Sequence, residues 1–188
     1  MKEQLQKDFE NTIRNLSLSQ KDIEIKKFSL DNFINKGFPN RREEDWKFSD
    51  LNQIINKNIG ELSFYNDYTS TNKVDTSVFV DGLVHNKIVF INGRIEKIDF
   101  DYEKKDQIEI IDQSEIINKF ENNNSLSDLN SAFTNKSFKI VVKKGYQLSK
   151  PLIIYHTTNS KIWSKNINLR LDFELQEDSS LRLIDLFN

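Results

Sequence analysis

The side chains that could bind a metal or carry a proton are few in this sequence. His85 and His156 are its two histidines, and neither lies four residues from another histidine or beside two carboxylates, as typical metal ligands do. The chain of 188 residues contains no cysteine, which removes disulfides, thiolate metal ligands and cysteine nucleophiles. The sequence therefore predicts no metal-binding residue.

Two acid pairs, Asp99 with Asp101 and Glu43 with Asp45, have the residue types of a general acid and a general base. Solvated surface carboxylates are far commoner than catalytic ones, so neither pair predicts catalysis. The sequence also lacks a P-loop and a Gly-rich dinucleotide-binding turn, and it has only five glycines. We therefore predict no catalytic, cofactor-binding or metal-binding residue, and a protein that is not an enzyme.

Composition and charge describe an ordinary globular protein. The chain has 27 basic and 29 acidic residues, a formal net charge of -2 and no basic stripe, which disfavours a nucleic-acid partner. No run approaches the roughly 20 apolar residues of a membrane span. The polar start MKEQL also differs from a signal peptide. We expect a cytoplasmic protein without a membrane partner.

Three helices are predicted in the first part of the chain. The first has one apolar stripe, and the second begins at Ser19, which forms a capping box with Asp22. Gly37 and Pro39 end the second helix, and Asn40 with Glu43 caps a third that starts at Arg41. The first two stripes consist of Leu5, Phe9, Ile13 and Leu16, and of Ile23, Leu30, Phe33 and Ile34.

The third predicted helix carries a charged face and Trp46. Glu43 and Lys47 are spaced for a helical ion pair, whereas Arg41 and Arg42 lie unfavourably at the positive end of the helix dipole. The two arginines are therefore expected to have an acidic partner, which is more often intramolecular than on another subunit. Whether Trp46 and the arginines belong to the core or to an interface stays open.

The helical pattern gives way to strands after a polar stretch at residues 56–75. We place a boundary there, with a helical region and linker at 1–75 and a strand-rich core at 76–188. Asn92-Gly93 between two β-rich runs predicts a hairpin. Weak helical pieces are predicted at 114–120 and 125–133. Further strands are predicted at 107–111, 137–143, 152–156, 166–175 and 180–187, a pattern that suits a meander, half a sandwich or the first turns of a solenoid.

Three passages resemble the SufB and SufD family of iron–sulfur cluster assembly proteins. The main one is GFPNRREEDWKFSDL at residues 37–51, which has the SufD form of a Gly-x-Pro-x-Arg-Arg-x-Glu-x-Trp-Lys pattern. The second joins LNSAF at 129–133 to IVVKKGYQLSKPL at 140–152, and the third, looser one is FINGR at 90–94. The resemblance therefore covers most of the chain and favours the SufD branch.

The resemblance implies a fold and a function. It implies an α+β, mainly β architecture in which the helical region leads into the beginning of a right-handed parallel β-helix. It implies a non-catalytic scaffold subunit that acts with SufB and the ATPase SufC. The iron–sulfur cluster would be assembled by the complex, with no cofactor bound by this stretch and no family site residue carried onto it.

The last ten residues, SSLRLIDLFN, form an apolar strand pattern without a cap. We therefore expect the chain to be the N-terminal part of a longer protein. Two other functions stay open from the sequence: a general protein-interaction domain, and a carbohydrate-active enzyme built on a β-helix. The lack of a signal peptide disfavours the enzyme.

Overall fold

The computed structural model describes residues 2–16, 18–58, 62–65, 73–113, 124–159, 162 and 164–187. The helices among them are α1 Lys2–Arg14, α2 Gln20–Lys36, α3 Leu51–Asn58 and α4 Ser125–Phe133. The strands are β1 Asn86–Ile91, β2 Arg94–Asp99, β3 Ile108–Gln113, β4 Lys136–Val142, β5 Leu152–Thr157, β6 Leu169–Leu175 and β7 Leu183–Phe187.

The chain forms two compact units, each assembled from three segments. The first unit consists of Met1–Asn66, Ser114–Asn135 and Ser164–Leu169, and the second of Asp67–Gln113, Lys136–Trp163 and Arg170–Asn188. The helices belong to the first unit and the strands, apart from the first residue of β6, to the second. No helix in the described ranges is long and apolar enough to cross a membrane.

The first two helices form as their sequence patterns predict. In α1, Leu5 and Phe9 are buried on one face. At the start of α2, the Ser19 hydroxyl accepts a hydrogen bond from the Asp22 N–H, and the Asp22 carboxylate accepts one from the Ser19 N–H. The predicted capping box is therefore confirmed. Gly37 ends α2 with a φ of +74°, a conformation in which a side chain would be strained.

Aromatic packing holds the first unit together. The rings of Phe64 and Phe133 are stacked with centroids 3.6 Å apart, and Phe9 meets Phe133 edge-on at 6.1 Å. Helix α4, which the sequence predicts, thereby contributes the centre of this core. The buried apolar residues are Leu5, Phe9, Leu30, Phe33, Phe38, Ile55, Leu62, Phe64, Leu129, Ala132 and Phe133.

The expectation of a helix from Arg41 is wrong. Residues 44–46 form a single 3-10 turn, and α3 starts only at Leu51. The Asn40 side chain accepts from the Arg42 N–H and Glu43 accepts from the Asn40 N–H, so local hydrogen bonds close a tight turn instead of a helix. Asp50 then caps α3, with its carboxylate accepting from the backbone at the third residue of that helix.

The expected β-helix is not formed, and that fold-class expectation is wrong. The strands make two separate mixed sheets, one in the order β2-β1-β5-β7 and the other in the order β3-β4-β6. β1 is parallel to β5, and β5 to β7, but β2 is antiparallel to β1 and β3 is antiparallel to β4. In a parallel β-helix, each strand pairs in parallel with the equivalent strand of the next coil. The antiparallel pairs β1/β2 and β3/β4 are not compatible with that arrangement.

The predicted hairpin is confirmed at the turn between β1 and β2. Asn92 and Gly93 have φ angles of 52° and 79°, as a type I′ turn requires. A bulge between Val89 and Phe90 shifts the register, so that Ile95 pairs with Phe90 and Ile98 with Ile88. Both isoleucines consequently lie on the same face of the sheet although they are three residues apart.

The two sheets pack face to face in the second unit. Phe90 in β1 lies 5.7 Å, centroid to centroid, from Phe138 in β4. Ile88 and Ile154, paired across β1 and β5, share the face of Phe90 and are fully buried. The opposite face of the four-stranded sheet has its own buried cluster of Val89, Ile91, Ile153 and Tyr155, covered by Val74, Val78 and Phe79.

Candidate functional site

His85 has a structural role in the second unit. Its Nδ1 lies 2.6 Å from the Leu83 carbonyl oxygen, and its Nε2 lies 2.7 Å from the Tyr155 hydroxyl. Because a carbonyl only accepts, Nδ1 carries the proton and the Tyr155 hydroxyl donates to Nε2. The Tyr155 oxygen in turn accepts from the Val80 N–H at 3.0 Å. Both imidazole nitrogens are thus occupied by the protein itself.

His156 belongs to an aromatic stack that crosses three strands. Its ring lies nearly parallel to that of Phe90 at 5.3 Å and to that of Phe187 at 4.5 Å. The strand register places these three side chains side by side on β1, β5 and β7. Nε2 is 2.8 Å from Asp185 Oδ1, but this contact does not have the geometry of a hydrogen bond.

The acid pairs are not arranged for acid–base chemistry. Asp99 accepts from the Asp101 N–H and lies 3.4 Å from the Lys87 ammonium. Partial burial opposes its ionisation, but these two contacts and the nearby Lys97 ammonium outweigh that effect and lower the pKa of Asp99. Glu43 and Asp45 are exposed. Among the described residues, no three His, Asp or Glu side chains gather as metal ligands would.

Glu103 is a buried carboxylate that the sequence does not single out. Only 9% of the residue is exposed, and both oxygens are saturated with donors. Oε1 accepts from Asn86 Nδ2 at 2.8 Å, the Ser149 hydroxyl at 3.1 Å and the Lys150 N–H at 3.1 Å. Oε2 accepts from the Tyr146 hydroxyl at 2.7 Å and the Ser149 N–H at 3.1 Å.

These hydrogen bonds determine the protonation state of Glu103. Burial alone would raise its pKa, but the donors from Asn86, Tyr146, Ser149 and Lys150 outweigh burial and lower the pKa to about 2. The ionised carboxylate ties the loop between β2 and β3 to the loop between β4 and β5 and to the start of β1. Since every oxygen faces an internal donor, Glu103 serves as a structural anion rather than as a general base.

Lys26 is the buried cation of the first unit. It is 1% exposed, and its Nζ donates to the carbonyl oxygens of Ser131 and Thr134 at the end of α4. The negative end of a helix dipole favours a cation at this position. Burial nevertheless lowers the pKa of Lys26 to about 8, against the raising effect of the nearby Asp22 carboxylate.

The segment at 37–51 is mostly at the surface of the first unit. Trp46 is half-buried, whereas Arg41, Arg42 and Phe48 are exposed. Within the described ranges, neither arginine forms an ion pair, and Lys47 pairs with Glu44 at 2.7 Å instead of with Glu43. The expected helical pair Glu43–Lys47 is therefore wrong, because the 3-10 turn changes the spacing that a helix would give.

Strand β7 presents the most apolar surface of the four-stranded sheet. It pairs with β5 on one side and has no strand on its other side within the described part of the chain. Leu183, Ile184 and Phe187 are exposed, and Phe187 has 75% of its surface open to solvent. An exposed apolar edge strand is typical of a surface that contacts another protein segment.

Comparison with known proteins gives no match: neither a family model nor a curated protein matches this chain.

Proposed function

We propose that this protein is a scaffold subunit of the SUF iron–sulfur cluster assembly machinery, acting with SufB and the ATPase SufC. The resemblance of residues 37–51 to the SufD form is the sequence support. The β-helix that the resemblance implies is not formed. The proposal is therefore supported by that passage and by the exposed strand β7. The carbohydrate-active alternative has lost its basis, since it required the β-helix.

The resemblance of residues 37–51 to the SufD form carries the proposal, and the apolar edge at β7 is the surface that we assign to the contact. A partner strand added beside β7 would satisfy its outer backbone groups and cover Leu183, Ile184 and Phe187. The stack of Phe90, His156 and Phe187 holds the exposed ring in place, so that little side-chain freedom is lost on binding. A pre-ordered aromatic residue of this kind is a typical interface anchor.

In this role the protein supplies surface and framework rather than chemistry. ATP hydrolysis by SufC would move the SufB–SufD pair, and the cluster would be built by the complex as its product. The chain would contribute a rigid sheet whose edge contacts SufB. A general protein-interaction domain with a different partner is the second candidate, because the same apolar edge favours it equally.

The test is an affinity measurement with a variant of Phe187. The full-length protein and its Phe187→Ser variant are titrated with SufB from the same source by calorimetry. We expect the variant to bind about tenfold or more weakly, since losing a buried aromatic anchor costs well over 1 kcal/mol. Phe28→Ser is the matched control, because Phe28 is 63% exposed on α2. Equal affinity of both variants for SufB would remove the β7 edge from the proposal.

A further inference from the structure

A groove opens between β2 and β3, on the side of the second unit away from β7. It consists of two adjoining hollows of about 520 and 360 Å³, which share Ile98 and Ile110. We call it the β2–β3 groove. Since β2 and β7 are the two outer strands of the four-stranded sheet, this groove and the β7 edge are separate surfaces.

The floor of the groove is apolar for a reason visible in the strand register. The bulge in β1 turns both Ile95 and Ile98 to the face that packs on the second sheet. Ile108 and Ile110 are paired with the buried Val142 and Ile140 and therefore share their face. The layer between the sheets is left open here because β2 and β3 are outer strands, so Ile98 stays 49% exposed.

Lysines line the rim of the groove. Lys136 lies at one end and is paired with Asp112, with 2.7 Å between Nζ and Oδ2. Lys104 and Lys105 lie at the other end, and neither forms an ion pair within the described ranges. Of the described residues, Asp101 is the acid that lines this second hollow beside the two lysines, and Asp106 lies close enough to Lys104 for their charges to interact. An apolar floor with such a rim is complementary to a segment that combines apolar and acidic side chains.

We propose that the β2–β3 groove binds an extended peptide segment of a partner protein in which apolar residues alternate with Asp or Glu. Side chains along an extended chain point alternately to opposite faces, so one set packs on the isoleucines and the other reaches the lysines. The six residues of β2 span about 20 Å, which fits a segment of about six residues. Strand addition to an outer strand would supply the backbone hydrogen bonds. This site is independent of the proposed assembly role.

The test uses a defined probe: an eight-residue peptide alternating Ile and Glu, labelled with fluorescein and followed by anisotropy. We expect saturable binding, and no comparable binding of the matched peptide in which Lys replaces Glu. The double variant Lys104→Glu, Lys105→Glu should weaken binding of the acidic peptide by about tenfold or more. The control double variant Lys21→Glu, Lys27→Glu changes the net charge equally on α2 and should leave the affinity unchanged.

Two results would overturn the proposal. One is the absence of saturable binding of the Ile–Glu peptide, and the other is equal weakening by both double variants, which would indicate a general charge effect. Circular dichroism checks that each variant folds. Ile98→Ser gives a second route that leaves every charge in place, and it should also weaken binding because it removes part of the apolar floor.

Discussion

Each unit has a buried charged residue, Lys26 or Glu103, that binds residues distant in sequence. Glu103 and its donors are separated by up to 47 positions in sequence, so no local pattern indicates them. The same is true of Lys26, whose acceptors lie 105 and 108 residues away. Composition reveals acids and lysines, but only the tertiary structure decides which of them are buried.

We expect Glu103→Gln to lower the free energy of unfolding at neutral pH by roughly 1–3 kcal/mol. The amide would turn an N–H towards groups that already donate, and it would remove the charge that strengthens these bonds. Urea unfolding measures the loss. Glu109→Gln, at an exposed position of β3, is the matched control and should change little.

The same variant has a defined pH dependence. The pKa of Glu103 is lowered from 4.5 to about 2 in the folded protein. Its stabilisation is therefore complete above pH 4.5 and is lost as the pH falls towards 2, because protonation is then easier in the unfolded chain. The stability difference between wild type and Glu103→Gln should shrink over this range. A difference that stays constant would show that Glu103 is not the titrating group.

Lys26 predicts a second rise in stability with pH, in the alkaline range. Its pKa is about 8 when folded and 10.5 in the unfolded chain, so between these values the unfolded chain binds more protons and stability rises with pH. The rise is at most about 3 kcal/mol. Lys26→Met should abolish it, whereas Lys27→Met, at the exposed next position, should retain it. Urea unfolding at both ends of this range gives the measurement.

At the scale of elements, the sequence predicts a helix start or a hairpin correctly where neighbouring residues alone determine it. The Ser19 capping box and the Asn92–Gly93 hairpin are both confirmed, because each depends on neighbouring residues alone. The helix expected from Arg41 is wrong, because Asn40 and Glu43 use their side chains to close a turn. The helical piece expected at 114–120 lies outside the described residues.

The hairpin gives a prediction for one element. Gly93→Ala places a Cβ at a φ of 79°, where an L-residue is strained by roughly 1–2 kcal/mol. We expect a loss of stability of that size in thermal or urea unfolding, with the strand content unchanged in circular dichroism. An unchanged midpoint would mean that the turn relaxes to another type, and that β1 and β2 do not depend on it.

At the scale of the whole molecule, the order of helices followed by strands is visible in the sequence, but the arrangement of the strands is not. Alternation identifies β4 and β5 as strands without saying which neighbour each will pair with. The expectation of a β-helix rested on the family resemblance, and the antiparallel pairs β1/β2 and β3/β4 contradict that expectation. The sequence predicts β7 as a strand from its apolar pattern, whereas the β2–β3 groove depends on a bulge that no pattern predicts.

The proposed function requires that this protein works by contact with SufB and SufC. The most direct measurement is to co-express the full-length protein with SufB and SufC from the same source and to determine the composition and mass of what is purified. We predict one stoichiometric complex that contains all three chains. A folded, full-length protein that purifies without either partner would contradict the claim.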